Sequence, residues 1–449
     1  MLDTRIQAFL RQAASTAKYA KVAAETVQLQ AIFITPEGQY RAIGVIGMVE
    51  IADFANKDNH AELIQISCRL QPGVYFNNIV PFRDDLTVQL IVTTGTDKLL
   101  REFVGVPLTS KDVRAEGNNT GALNLDALNT TNLVEYKFQL IDPGYAKLKN
   151  VPVSNIYQMT ALGNVIGTVM QQYTENVGLT GSAAFKGLQF HQPIDNENKF
   201  DSVEIPNGTR LADVPTFLQT DNDYGVYTKG LTCFYKQNYW WVVPIYNTEL
   251  VDTHPRPLEI IRVPENKIPD LDVSYYRSDV AMTIIACGRG DHTDNADIDK
   301  QNDGVGQRVL LGEAVAGDTG YHYQKGRAIT TRADTLQEYK LSNRRDGEQW
   351  VPLNPNPTGN LCVPMTQNAI NEGEIIEVEW RNGDTGYLEP GHPLHYQYMY
   401  DENEMVVRKG VLLGYRTDYI AISSMPNPIL KRTTILKLFV KRRSEFKVD

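Results

Sequence analysis

Between residues 134 and 140 every second side chain is apolar, with Val134, Tyr136, Phe138 and Leu140 alternating with Glu135, Lys137 and Gln139. Successive side chains of a strand point to opposite faces, so this pattern predicts a strand with one buried and one wet face, and no helix satisfies it. Leu86, Val88, Leu90 and Val92 repeat the pattern against Thr87, Gln89 and Ile91. Upstream, Leu29, Ala31 and Phe33 alternate, Pro36-Glu37-Gly38 turns the chain, and 42–51 runs back as an apolar strand, which reads as a hairpin. A further strand is expected at 63–70. At the other end of the chain, strands are expected at 375–380, 395–400, 405–415 and 434–441, separated by Asn382-Gly383-Asp384 and Glu389-Pro390-Gly391 turns.

The middle reads differently. Ile156, Met159, Leu162, Ile166, Val169 and Met170 recur at helical spacing, which predicts a helix over 156–173 with Ser154 or Asn155 as N-cap and Gly178 near its stop. A compact α+β unit follows: Leu188 and Phe190, then Val203 and Ile205 before Pro206, then Leu211, Val214, Phe217 and Leu218 on a short helix. An aromatic hairpin then runs from 231–235 into Tyr239-Trp240-Trp241-Val242-Val243. Strands are expected at 258–263 and 280–286, and the Pro/Asn-rich 352–357 resembles a linker. Ile6, Phe9, Leu10 and Ala13 sit at helical spacing near the start. The expected organisation is an N-terminal helix (1–24), a first β-barrel (25–145), a mixed α+β middle (146–358) and a second β-barrel (359–449). The fold class is thus a β-rich α+β multidomain chain with two antiparallel barrels flanking a mixed centre.

Composition narrows the function. Hydrophobic residues make up 42% and charged residues 22% of 449, which is ordinary globular usage. A net charge of -10 argues against gripping nucleic acid, since phosphate neutralisation needs clustered Lys and Arg. Cys68, Cys233, Cys287 and Cys362 are far apart, without a CxxC pair, and read as free thiols of a reducing compartment. Asp3 and Arg5 precede a mixed segment rather than an apolar export core, so no export signal is expected. The uncharged run between Lys149 and Glu175 is interrupted by Asn155, Gln158, Asn164, Gln171 and Gln172, so no membrane insertion is expected either.

Candidate chemistry is sparse. Asp291, Asp294, Asp297, Asp299 and Asp303 invite a calcium reading, but an EF-hand register starting at Asp299 puts Leu310 where the bidentate Glu belongs. Arg289-Gly290-Asp291 is a short chance match within the same polar loop, 288–306. His392 and His395 are three apart on an extended segment and so face opposite sides, which prevents easy chelation of one ion. Glu377 and Glu379 share a strand face and read as solvated rather than as a glycosidase pair. The sequons at Asn118, Asn129 and Asn207 mark polar loop, including the long loop 110–131. No dinucleotide fingerprint, Walker loop, nucleophile elbow or HExxH occurs. No catalytic, cofactor-binding or metal-ligating residue is expected, and the chain does not read as an enzyme.

In this order of parts the chain resembles the baseplate hub proteins of contractile-tailed bacteriophages, the collar between tail tube and central spike. The resemblance rests on the helix near 156–173, Ile205-Pro206 ahead of the short helix ending in Phe217-Leu218, Tyr224-Gly225-Val226-Tyr227, Gly230 and the aromatic hairpin ending in Pro244. It also rests on Leu388-Glu389-Pro390-Gly391-His392-Pro393 leading into strand 395–400. It implies two tube-like barrels per subunit, and a homotrimeric ring that adapts a six-fold tail tube to a three-fold spike around a bore for DNA. Strands 86–92, 134–140, 405–415 and 434–441 would line or support that bore. The implied partners are the tail tube protein, the central spike protein and other baseplate proteins, in a virion tail made in the host cytoplasm. The rival readings are a virion scaffold protein and a tail-associated glycan-binding or cell-wall hydrolase component, the latter favoured if Trp240 and Trp241 line an open cleft.

Overall fold

The computed structural model describes residues 19–20, 26–95, 97–108, 133–194, 196, 199–221, 224–263, 275–277, 281–287, 292–294, 305–310, 321–324, 327–330, 337–339, 348–351, 360, 362–401, 404–423 and 425–442. It is β-rich, with one large sheet and few helices. In spatial order, Thr26–Thr35, Thr87–Thr94, Asp97–Pro107, Val134–Ile141, Leu63–Leu70 and Gly44–Asp53 form successive antiparallel pairs. Gly44–Asp53 then pairs with Glu404–Ala421, which pairs with Leu430–Lys441, and the last returns to Thr26–Thr35 through Thr26↔Lys431 and Val27↔Leu430. The hydrogen-bonded ladder therefore closes on itself, using two strands from the far end of the chain.

The alternation explains this ring. Tyr136, Phe138 and Leu140 are buried while Glu135 and Lys137 are exposed, and Leu86, Val88 and Leu90 face the same interior. Phe138 meets Phe33 at 4.6 Å between ring centroids, and Tyr136 stacks on Tyr75 at 3.8 Å. Tyr75 and Ile79 come from the helical segment that follows Leu63–Leu70, and with the strand residues they fill the interior as one apolar cluster. The hairpin expected between 27 and 51 is shorter than its apolar pattern suggested. Within it only residues 32–35 pair, with Gly38–Arg41, and Gly44–Asp53 pairs instead with Leu63–Leu70.

The strands Glu404–Ala421 and Leu430–Lys441 stay paired to each other along most of their length, but each changes its outer partner. Residues 404–411 pair with Pro393–Asp401, and 414–420 pair with Gly44–Asp53. Leu430–Lys441 changes its outer partner near its start instead, with 430 and 431 on Thr26–Thr35 and 433–441 on Gly373–Arg381. The change on Glu404–Ala421 falls at a register shift between Leu412 and Gly414, where a side chain is excluded: a Cβ on Gly414 would lie 2.3 Å from the Ala52 carbonyl oxygen.

Beyond this point the sheet continues through Pro393–Asp401, Leu258–Val263, Met282–Cys287, Tyr275–Arg277 and Tyr19–Ala20, with Gly373–Arg381 on the other side. This half is not wholly antiparallel as expected. Leu258–Val263 enters from the middle of the chain and runs parallel to both neighbours, because long connections allow a crossover that a hairpin cannot make. Met282–Cys287 lies against Gly373–Arg381, and Tyr275 meets Trp380 edge-on at 5.7 Å, so a second apolar core forms around Trp380, Tyr396 and Leu438.

In the middle, the helix runs over Leu162–Asn176 rather than from 156. Residues Pro152–Ala161 form a two-stranded antiparallel ribbon with Lys199–Arg210, which leaves Ile156 and Met159 exposed although their spacing matched the helix. Ala161 precedes the helix without a side-chain cap, and Gly178, at φ +65°, follows its end as expected. The helix buries Val165, Ile166, Val169 and Met170 against a small sheet of Gly187–Phe190, Tyr239–Val243 and Thr232–Lys236. The last two strands form the expected aromatic hairpin, turned by Gln237 and Asn238, both at positive φ. Leu211, Val214 and Leu218 are buried on the short helical stretch that follows Lys199–Arg210.

The expected N-terminal helix lies outside the described residues except at Tyr19–Ala20, which is strand. Loop 110–131 and the break at 352–357 also lie outside them. Of loop 288–306, His292–Asp294 is a strand on Gly373–Arg381, and residues 305 and 306 belong to Val305–Leu310. Among the described residues no helix is long and apolar enough to cross a membrane.

Two glycines give a paired test of the partner change. Gly414→Ala is expected to destabilise the protein by about 2–3 kcal/mol or more, because backbone must move on both strands. Gly167→Ala, in the helix with no atom within 4 Å of the added Cβ, is expected to be neutral or stabilising by about 0.5–1 kcal/mol. Denaturant melts of both variants check this. Phe138→Asp, which places a carboxylate inside the ring, is expected to abolish the cooperative transition altogether.

Candidate functional site

A cluster of charged side chains gathers where the ring, the middle and the last region meet. Glu50 shares a strand face with Met48 and Ala52, Arg101 shares one with Phe103, and Tyr419 shares one with Thr417 and Tyr415. Glu50, Arg101 and Tyr419 are thus held at one end of the ring by the same alternation that builds its core. Glu62 comes from the loop before Leu63–Leu70, and Lys236 ends Thr232–Lys236, a strand buried at every position.

Arg101 donates to Glu50 Oε1 at 2.6 Å from one guanidinium nitrogen and to Glu62 Oε2 at 3.3 Å from the other. The Lys236 ammonium lies 3.3 Å from Glu62 Oε1 and donates to the Thr385 and Leu388 carbonyls at 3.0 and 2.7 Å and to Tyr415 Oη at 2.9 Å. The Tyr415 hydroxyl donates to Glu62, and Tyr419 Oη donates to Glu50 Oε2 at 3.4 Å. One network therefore ties 50–62, Arg101, Lys236, 385–388 and 415–419, borders a cavity of about 380 Å³, and satisfies all three Lys236 protons.

Electrostatics follows from this pairing. Burial alone would raise the Glu62 carboxyl, but Lys236 and Arg101, with the Tyr415 hydrogen bond, hold it below the usual carboxylate range. Burial dominates at Lys236 and lowers its ammonium, against the pull of Glu62. Arg101 is raised, its burial outweighed by Glu50 and Glu62, and burial together with Glu62 pushes the Tyr415 phenol far up. Asp142, also on the cavity wall, is raised by burial while its carboxylate caps Pro143–Leu148, accepting from the Gly144 and Tyr145 amides at 2.8 and 3.1 Å. Glu50, Glu62 and Asp142 are thus already committed to a cation or a cap, so this arrangement fastens segments together rather than moving protons.

A second contact joins the ring to the middle beside the network. His60 donates from Nδ1 to the Cys233 carbonyl at 3.0 Å, and its Nε2 faces Asp213 Oδ1 at 2.9 Å. The Tyr235 amide donates to the His60 carbonyl at 2.6 Å, and Phe54 meets Phe234 edge-on at 4.8 Å.

The residues singled out by sequence are dispersed. His395 Nδ1 bonds Glu259 Oε1 at 2.7 Å, and Gln397 Nε2 takes the other Glu259 oxygen at 2.7 Å, a cross-strand triplet on the parallel pair. His392 is buried elsewhere, donating from Nε2 to the Arg256 carbonyl at 2.8 Å, and burial, foremost, lowers its imidazole to about 4. Glu377 and Glu379 are half-buried on the strand face opposite Val378 and Trp380, and Glu379 is bonded by Arg381 at 3.3 Å. Trp240 does not line a cleft: it is fully buried, and its indole N–H donates to Thr174 Oγ1 at 3.0 Å. Cys68, Cys233 and Cys362 are buried outside any disulfide, and burial raises Cys68 and Cys233. Asp291, Asp297, Asp299 and Asp303 lie outside the described residues. Pattern reading missed the charge network. The available signal was a lone Glu50 inside the apolar run 42–51 and a lone Lys236 ending an otherwise apolar and aromatic strand.

No family model matches the sequence, and no curated protein matches it. Solved structures to which the chain shows some similarity include the tail protein from Neisseria meningitidis MC58, at 11% identity over 92% of this chain and 96% of that one, with a TM-score of 0.43. The 43 kDa tail protein of prophage MuSo2 from Shewanella oneidensis is 8% identical over 91% of this chain and 98% of that one, with a TM-score of 0.45. The E. coli c3393 protein, described as a type VI secretion system component with structural similarity to T4 bacteriophage tail proteins gp27 and gp5, is 8% identical over 92% and 77%, with a TM-score of 0.42.

The network predicts a pH and coupling signature. Glu62→Gln and Lys236→Met are each expected to cost about 3 kcal/mol, because each leaves a buried charge poorly paired, and the double variant should cost less than the sum. Since the folded Glu62 carboxyl sits below its unfolded value of 4.5, its stabilisation is complete above that value. It is lost as pH falls through the lower, folded value. Denaturant titrations from pH 7 to 3 should therefore show a smaller acid-induced loss in Glu62→Gln than in the parent.

Proposed function

We propose that this chain is a structural tail component, a hub subunit whose copies close into a trimeric ring joining a six-fold tail tube to a three-fold spike. The observation that carries the reading is the closed ring of strands with its register-switching hairpin, which makes two β regions of one chain into a single stiff body. An adaptor between two symmetries needs that stiffness, because its work is done by geometry and binding energy rather than by turnover. The two tube-like barrels, the division at 1–24, 25–145, 146–358 and 359–449, and the tube and spike partners belong to this proposal. In it the hairpin strands are common property of both barrels.

The interior of the closed ring is filled by side chains, so a DNA bore would run between subunits and not through a barrel. The acidic balance suits such a bore, which must not hold its cargo. Subunit contacts need apolar surface to cover. At the tip of the long hairpin Ile420, Ile422 and Ile429 are exposed, with the Ile422 amide bonded to the Ile429 carbonyl at 2.9 Å, so the two strands present apolar side chains together. The proposal assigns this tip to the neighbouring copy.

Negative-stain electron microscopy of the concentrated protein tests the reading, with three-fold rings around a central hole expected. Ile422→Asp should reduce the ring fraction at least tenfold by mass photometry while leaving the thermal midpoint unchanged. Monomers alone at high concentration, with and without a tube-protein partner, would overturn the hub reading, and turnover of peptidoglycan by the purified chain would replace it.

A further inference from the structure

Away from the charge network, three potential ligands converge from two separate stretches of chain. His254 follows the short helical segment Thr248–Asp252, while Glu389 and His392 belong to the turn that leads into Pro393–Asp401. One ligand atom from each lies within 4.8 Å of the other two. His254 Nε2 is 3.8 Å from Glu389 Oε2, and the His254 and His392 rings are 5.1 Å apart, inclined at 54°.

The geometry points to a divalent metal site of the zinc type formed by His254, Glu389 and His392, which staples segment 248–257 to the turn 388–393. Two imidazoles and a carboxylate are a donor set that zinc accepts, with a fourth, tetrahedral position left for water. His392 is already arranged as a ligand. Its Nε2–H is fixed by the Arg256 carbonyl at 2.8 Å, so Nδ1 carries the lone pair, which meets the Glu389 amide at a long 3.4 Å. A ligating imidazole whose other nitrogen donates to a backbone carbonyl is the usual outer-shell arrangement.

His254 and Glu389 supply the adjustment. Tetrahedral zinc with bonds of about 2.0–2.1 Å holds its ligand atoms roughly 3.4 Å apart, so the cluster must contract by up to about 1.4 Å. His392 is buried and anchored, while the His254 and Glu389 side chains are 25% and 40% exposed and so less constrained by packing. Ligation through His254 Nε2 moves the ring proton to Nδ1, so the long 3.3 Å bond from the Arg256 amide is given up and the ring must turn away from that amide. The same two exposed side chains leave a path from solvent. The neighbouring His395 is excluded, since its Nδ1 is taken by Glu259.

The test uses the full, tag-free chain, stripped with chelator and titrated with zinc chloride by calorimetry, and with cobalt chloride by visible absorption. A single zinc per chain, a tetrahedral cobalt spectrum and a thermal midpoint raised by zinc and restored by chelator are expected. His254→Gln and Glu389→Gln, both at partly exposed positions, should each weaken zinc at least tenfold and abolish the thermal shift, while His395→Gln leaves both unchanged. Zinc affinity unaltered in His254→Gln and Glu389→Gln, or no saturable binding at millimolar zinc, would overturn the site. Neither result bears on whether the chain forms rings.

Discussion

The constraint on which the rest depends is the partner change of Glu404–Ala421 and Leu430–Lys441. A strand has two hydrogen-bonding edges, and these two use one edge on each other throughout, leaving one free edge each. Residues 414–420 spend that edge on Gly44–Asp53, and Leu430–Lys441 returns to Thr26–Thr35, so the ring that begins at residue 26 cannot close until residue 431 is in place. Contacts so distant in sequence make the ring late in any folding order, since loop closure precedes the reward. They also forbid hinge motion between the two halves, because a hinge would have to break a continuous antiparallel ladder.

Apolar cores on either side of that ladder supply burial but little direction. The network of Glu50, Glu62, Arg101, Lys236, Tyr415 and Tyr419 supplies the direction, because each of its bonds is specific in angle as well as distance. Its members come from the ring, the middle hairpin and the last region, so one misplaced segment leaves several buried charges unpaired at once. A hydrophobic replacement of equal volume would tolerate sliding between the same segments. Lys236 does most here: it sits at the end of a fully buried strand and binds two carbonyls of 385–388 as well as Glu62. The middle unit is thereby locked to the turn of the last region by backbone acceptors, independent of the side chains that turn carries.

What was legible in the sequence follows from the range of the interactions. The strands at 63–70, 86–92 and 134–140 and the aromatic hairpin were readable because alternation and turn chemistry are local. The helix start was misplaced because Ile156 and Met159 match a helical spacing by chance, while the ribbon with Lys199–Arg210 that makes them strand lies some forty residues on. The parallel insertion of Leu258–Val263 was not readable for the same reason. The charge network was half visible: a Glu or Lys inside an apolar strand announces a partner, but only the closed ring says that Glu50 and Arg101 share its interior face. His254, Glu389 and His392 show how distance hides a site, since no motif spacing joins residues more than a hundred positions apart.

The filled ring constrains any role in a tail. A conduit for a polymer needs an aqueous lumen, and a ring of eight strands gives an interior just wide enough for its own side chains, here Phe33, Phe138, Tyr136 and their neighbours. If the chain surrounds a bore, the wall must be built from outward faces of the sheet, where Glu135, Lys137 and Gln139 stand on one strand. Those faces come from strands whose other side is packed, so their positions are set by the core and not by the cargo. A wall held from behind in this way keeps its diameter whether or not anything passes through it, which is what a joint between a tube and a spike requires.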